Sequence, residues 1–335
     1  LYSGAGSTQS VEFDMKRLLS LGLLLLMLSG GAAHAEAGDP LIPAEETEKA
    51  PFFDRIHLGF KTRISSYTNY LDNFFSNERA DEEAADSQIR LIGSFELIEG
   101  KGLNFSPRVK ARIKLPALKR RFNLLLDTES DDTTMAAQLP GSAASSKLNE
   151  DTRIALQLIQ ESRADFGLSH RVGINLKNGA LNPWVRSQVR LVWQLSERDL
   201  FRMTQALLWE EVLGFGEETR LDYEHLFQQR ALDRSRLLRI TLKGLQAENS
   251  DGFEWSLPVE LLTALPRQRA YAFGASISGV TKSSTGITNS SIYARYRQSF
   301  WRDWLYFDLT PQLEWPKANH RHTTARLNIS LEVVF

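Results

Sequence analysis

Apolar residues occupy every second position from Leu327 to the final Phe335, with Arg326, Asn328, Ser330 and Glu332 between them. Successive side chains of a strand point to opposite faces, so this segment predicts a β-strand with one apolar and one polar face. It also predicts that the strand runs to the last residue and ends on an aromatic side chain. Such a strand belongs in a sheet that separates an apolar from a polar environment.

The same period persists upstream. Fourteen strands are predicted, over 87–97, 103–115, 121–127, 152–160, 164–177, 182–195, 199–212, 217–228, 235–247, 253–264, 268–280, 290–300, 303–316 and 322–335. Most are far longer than the ~5–6 residues of a globular strand, as a tilted crossing of a bilayer requires. The fold class expected is all-β: a transmembrane antiparallel barrel of about 14 strands, with 12 to 16 as the range. A soluble β-sandwich is the competing class.

Two features favour the barrel. Counting back from a periplasmic C-terminus, the connections 161–163, 196–198, 265–267 and 301–302 fall on one side and are short, although 229–234 is longer. The connections 128–151, 248–252 and 281–289 fall on the other side. Short turns on one side and longer loops on the other are a property of such barrels. In addition, Trp184, Trp193, Trp209, Trp255, Trp301, Trp304 and Trp315 all lie near predicted strand ends. Indoles gather there when strand ends meet lipid headgroups.

The N-terminal part carries a targeting pattern. Met15-Lys16-Arg17 is a basic start, 18–28 is an apolar stretch too short to span as a helix, and Ala33-His34-Ala35 is a small-x-small cleavage site. The expected organisation is an upstream segment at 1–14, a signal peptide at 15–35, a leader at 36–85 and a barrel at 86–335. No cysteine occurs, which excludes disulfides, thiolate metal sites and a lipidated cysteine. Net charge is −1 and mean hydropathy −0.30. Negative hydropathy suits a barrel, in which only alternate residues meet lipid. No basic, aromatic-interleaved patch suggests nucleic acid.

Alternation assigns faces. Outward positions include Phe105, Val109, Ile113, Phe166, Leu168, Val172, Ile174, Ile240, Leu242, Trp255, Leu257, Val259, Leu261, Phe307, Leu309 and Leu313. Candidate lumen-lining cations are Arg108, Lys110, Arg112, Arg171, Arg186, Arg190, Arg220, Arg239, Arg295, Arg297 and Arg326. Candidate lumen-lining acids are Asp222, Glu224, Glu254, Glu260, Asp308 and Glu314. A cation facing lipid at the midplane costs roughly 2–4 kcal/mol, so this parity belongs inside. Two readings follow: an ion-paired lattice that fills the barrel, or a pore with a net basic lining that favours anions.

In the leader, Phe52, Phe53, Ile56, Phe60, Ile64, Tyr67, Leu71, Phe74 and Phe75 recur at helical spacing, predicting an amphipathic helix within 51–77. Three placements are open. The helix lies on the inner leaflet, plugs the lumen or contacts a periplasmic partner.

Catalytic signals are weak. Gly274-Ala275-Ser276-Ile277-Ser278-Gly279 lacks the spacing of a nucleophile elbow and reads as small residues in a strand. His170 falls on the outward parity, where a serine–histidine pair would work on lipid, but it reads as an ordinary wall residue. His320-x-His322 reads as loop histidines without a metal. The acidic run Asp127, Glu129, Asp131, Asp132 reads as a solvated loop. No enzyme, cofactor or metal is expected.

Residues from about Asp86 to Phe335 resemble the Gram-negative outer-membrane β-barrel class. Phe335 resembles the end read by the barrel-assembly machinery. The leader bearing Leu71-Asp72-Asn73-Phe74-Phe75, followed by a barrel, resembles more loosely a proteobacterial outer-membrane family with a helical leader. Fourteen strands and a plug are also similar in architecture to the long-chain fatty-acid channel. The early Asn-Pro-Ala motif of that family is absent, and the lumen here is charged. The resemblance implies an outer-membrane location, with lipid, lipopolysaccharide and the assembly machinery as partners. The charged inward face, read within that architecture, leads to the expectation of a passive channel for small polar or anionic solutes. The alternative is a non-conducting structural or docking barrel, with a phospholipase-type enzyme a distant third.

Overall fold

The computed structural model describes residues 64–75, 87–115, 122–128, 152–177, 179–227, 235–250, 252–265, 267–282 and 286–335. The signal-like segment, the start of the leader and most of the loop 128–151 lie outside the described residues. Helix α1 spans 64–74. The strands are β1 Gln88–Ile98, β2 Gly102–Lys114, β3 Phe122–Asp127, β4 Thr152–Ser162, β5 Phe166–Lys177, β6 Ala180–Gln194 and β7 Asp199–Glu210. They continue as β8 Gly214–Phe227, β9 Arg236–Ala247, β10 Glu254–Leu265, β11 Arg269–Val280, β12 Ile287–Phe300, β13 Arg302–Glu314 and β14 Thr324–Val334.

All neighbours pair antiparallel in sequence order, and β1 pairs with β14, closing a 14-strand barrel. Closure removes sheet edges, which lipid would not tolerate. The register runs from Arg90 opposite Val334 to Ile98 opposite Arg326. Beyond it, the main chain of Phe335 exchanges two hydrogen bonds with Ile89, at 2.8 and 3.1 Å. The terminal residue is thus a rung of the closing seam. Both chain ends of the barrel lie at one rim, called here the seam rim.

The alternation read in the sequence becomes two surfaces. Leu91, Phe95, Phe105, Ile113, Val172, Ile174, Val185, Leu242, Ile292 and Leu313 are exposed on the outside. Arg90, Glu96, Arg112, Arg202, Asp222, Glu224, Arg239, Arg297, Asp308 and Glu332 are buried on the inside. A soluble sandwich would bury the first set and expose the second. This is the architecture of an outer-membrane barrel, and the chain is an outer-membrane protein.

Two expectations change. The far rim is not uniformly long-looped, since 99–101, 178–179 and 211–213 separate their strands by only two or three residues. Trp184 does not join an interfacial belt. It sits inside, against Gly173, where an added Cβ would come within 2.9 Å of the indole. Its closeness to a strand end misled because strand-end position carries no information about facing; its even parity in β6 does.

Helix α1 lies within the barrel. Ile64, Leu71, Phe74 and Phe75 are buried in one cluster with Leu200, Leu226, Leu237, Leu262, Ala264, Ala270 and Ala272. Those strand residues face inward near the seam rim, at the starts of β7, β9 and β11 and the ends of β8 and β10. The barrel therefore contains an apolar core at one end, built around a helix. Ser66, Asn69, Tyr70 and Asn73, on the opposite helix face, stay exposed.

Candidate functional site

The inside of the barrel divides into two zones of different chemistry. The first is organised by α1. The Tyr67 hydroxyl donates to the Ser235 carbonyl at 2.5 Å and accepts from the Ala264 amide at 3.2 Å. Burial holds this phenol above its ordinary pKa, so it stays neutral and able to donate. Thr68 donates to Glu224 at 2.9 Å. Asp72 meets Arg239 at 2.8 Å, and Arg239 also meets Glu224 at 2.9 Å. Phe75 lies under the Arg295 guanidinium, and Phe74 meets Tyr306 edge-on.

A lattice of ion pairs continues around this wall. Arg297 bridges Asp308 at 2.5 Å and Glu332 at 2.7 Å, and Arg295 meets Asp308 at 2.8 Å. Arg326 joins Glu96 at 2.5 Å and Glu314 at 3.2 Å. Arg220 meets Asp222 at 3.2 Å, and Asp222 also accepts from Thr241. Glu260 accepts from the Tyr293 hydroxyl. Burying such charges is costly, and only multiple close partners offset the desolvation. Here Arg297, Asp308 and Arg326 each have two close partners, so this stretch of wall is largely paired within itself.

The second zone is open. A cavity of about 260 Å³ is lined by residues of β1 through β9 and by none of α1. Its charged lining comprises seven cations and three carboxylates. Lys110, Arg112, Arg171, Arg186 and Arg220 come from the set read in the sequence. Arg90 and Arg153 join them, against Asp127, Glu210 and Glu218. β1 and β8 are seven strands apart in a ring of fourteen, so the cavity reaches from one wall of the lumen to the opposite wall.

Like charges face each other across the sheet. Arg171 is directly opposite Arg186, and Arg90 is opposite Lys110. Such pairs destabilise a ladder. Some charge is compensated locally: Glu218 takes both arms of Arg186 at 3.0 Å, and Asp127 takes both arms of Arg108 at 2.8 and 2.9 Å. Arg153 sits over the Trp184 ring at 5.7 Å and reaches Glu210 at 3.6 Å.

The remaining sequence candidates lie elsewhere. Arg190 packs beside Gly167 and donates to the Arg163 carbonyl at 3.0 Å, next to a turn. Glu254 sits at the rim start of β10. The sequence reading missed Arg90, Arg153, Glu218 and Trp184. Glu218 and Trp184 share strand parity with Arg220 and Arg186, which it did place inside, so for these two the signal was present. It also missed the seam-rim core, whose signal is apolar residues on both parities at one end of a strand: Leu200-Phe201, Leu226-Phe227, Leu237-Leu238 and Leu261-Leu262.

On the outer wall, His170 is more than an isolated wall residue. Its Nδ1 lies 2.9 Å from the Ser187 hydroxyl and its Nε2 3.1 Å from Gln160 Oε1. The order serine–histidine–amide has catalytic form. Ser187 is the eighth of fifteen residues in β6, midway along the strand and away from both rims of the barrel. The trio satisfies its own polar groups in a setting without water. His320 and His322 are exposed, and among the described residues no cluster of three or more His, Cys, Asp or Glu is placed to hold a metal.

No family model matches this sequence, and no curated protein matches it. Several solved structures align with this chain. A bacterial polysaccharide outer membrane secretin aligns with 12% identity over 75% of this chain and 99% of that one, with a TM-score of 0.46. Omp33 of Acinetobacter baumannii aligns with 10% identity over 75% and 99%, with a TM-score of 0.43. OprB of Pseudomonas putida aligns with 8% identity over 75% and 94%, with a TM-score of 0.45.

Proposed function

We propose that this chain is a passive channel of the Gram-negative outer membrane for small anionic solutes, and that it performs no covalent chemistry. One observation carries the reading. The open zone of the lumen reaches from β1 to β8 and is lined by seven cations against three carboxylates. A low-dielectric wall around a basic lining focuses positive potential and raises the local anion concentration. Within this reading, α1 is a resident plug of the seam-rim half of the lumen. Its exposed outer face, with Ser66, Asn69 and Asn73, leaves a wetted lane beside it.

Planar-bilayer recording tests this. The intact chain is expected to form steady channels whose reversal potential in a salt gradient favours anions. Removal of residues 36–85 is expected to raise conductance severalfold. The ion-pair lattice, which runs from β8 through β14 to Glu96 of β1, favours one rival, a rigid non-conducting barrel that docks a partner. Silence of both the intact and the shortened chain would overturn the channel and leave that rival.

A further inference from the structure

We infer that the cavity between β1 and β8 is a binding site for a small polycarboxylate, whose carboxylate groups are taken by opposite walls of the lumen. The inference rests on the channel reading for its route of access, and it names the solute class of that lumen.

Three observations lead there. The first is geometry. Arg90, Lys110 and Arg112 stand on the β1–β2 wall, and Arg171, Arg186 and Arg220 on the β5–β8 wall, yet all line one cavity. A solute inside it lies between two banks of cations. A monoanion engages one bank; a solute with a carboxylate at each end engages both.

The second is donor excess. The Trp184 indole N–H and the Arg153 Nε are buried and have no acceptor. Both belong to the lining of the same cavity. Buried donors without acceptors are costly, and the missing complement is a group rich in acceptor oxygens. Arginine's planar fork fits a carboxylate bidentately.

The third is size. At about 260 Å³ the cavity is below the ~300 Å³ at which drug-sized pockets begin, so the solute is compact. The cross-strand neighbours Arg171/Arg186 and Arg90/Lys110 set like charges side by side on the cavity's walls, and an anion beside them lowers the cost of that arrangement.

The experiment is calorimetric titration of the full chain in detergent, at fixed ionic strength, with citrate, acetate and inorganic phosphate as probes. Citrate is expected to bind at least tenfold more tightly than acetate and more tightly than phosphate. Arg171→Gln is expected to weaken citrate at least tenfold. Trp184→Phe, which keeps a ring and loses the donor, is expected to weaken it severalfold. Unchanged heat-modifiable migration of both variants on a gel verifies folding. Equal affinity for citrate and acetate, tighter binding of phosphate, or no loss in folded Arg171→Gln would overturn the proposal. The two readings fail differently. Citrate binding to a barrel that does not conduct removes the channel and keeps the site. Anion-selective conductance that citrate neither saturates nor blocks removes the site and keeps the channel.

Discussion

Replacing Asp72 by alanine cuts the ionic tether between α1 and the barrel. Asp72 and Arg239 meet at 2.8 Å with side chains only 4% and 2% exposed. Deleting one partner of a buried pair costs about 3–5 kcal/mol when the survivor is left bare. Here Arg239 keeps Glu224 at 2.9 Å, so the loss is that of a charge-assisted hydrogen bond, about 1.5–3 kcal/mol. That is roughly a 10- to 150-fold increase in local opening of α1. The helix is not expelled, because Ile64, Leu71, Phe74 and Phe75 remain buried, each worth about 1.5–3 kcal/mol. Arg239→Ala is the harsher change, since it leaves Asp72 and Glu224 buried without their shared cation. Hydrogen exchange read by mass spectrometry resolves the effect. Amides of 64–75 are expected to exchange at least tenfold faster in Asp72→Ala, while those of β9 and β12 stay as in the parent. Exchange within twofold of the parent would refute the tether. Unprotected α1 amides in the parent would refute the docked helix altogether.

Two further expectations concern the barrel wall. Phe335 is 69% exposed on the outer face and contributes at most about 2 kcal/mol of burial, while its main chain holds Ile89. Phe335→Ala is therefore expected to refold normally in detergent yet to lower outer-membrane levels in cells; equal loss in both assays would assign the residue to stability instead of assembly. Gly274 faces its cross-strand partner Tyr293, and an added Cβ would come within 2.3 Å of the ring. Gly274→Ala is expected to displace Tyr293 from Glu260 and destabilise by about 1–3 kcal/mol, read as a lower temperature of heat-modified migration; an unchanged temperature would show that the ring moves freely.

Period-two alternation by itself determined the architecture. A strand that separates lipid from water must alternate, and each charge on the wrong parity costs several kcal/mol in lipid, so β1 to β14, their faces and even Arg297 and Asp308 as inside residues were written into local order. Parity also reached Trp184, although proximity to strand ends pointed it the wrong way. Parity says inside, and it says nothing about what else is inside. Arg239 and Arg171 look alike in sequence. Only the closed barrel decides that Arg239 is consumed by Asp72 and Glu224, while Arg171 faces a cavity shared with β1. That distinction depends on which strands lie half a ring apart and on where α1 docks. Contacts between Asp72 and Arg239 span the whole first half of the barrel sequence. No window of alternating residues carries them, because they arise from ring closure and not from the pleat of any one strand.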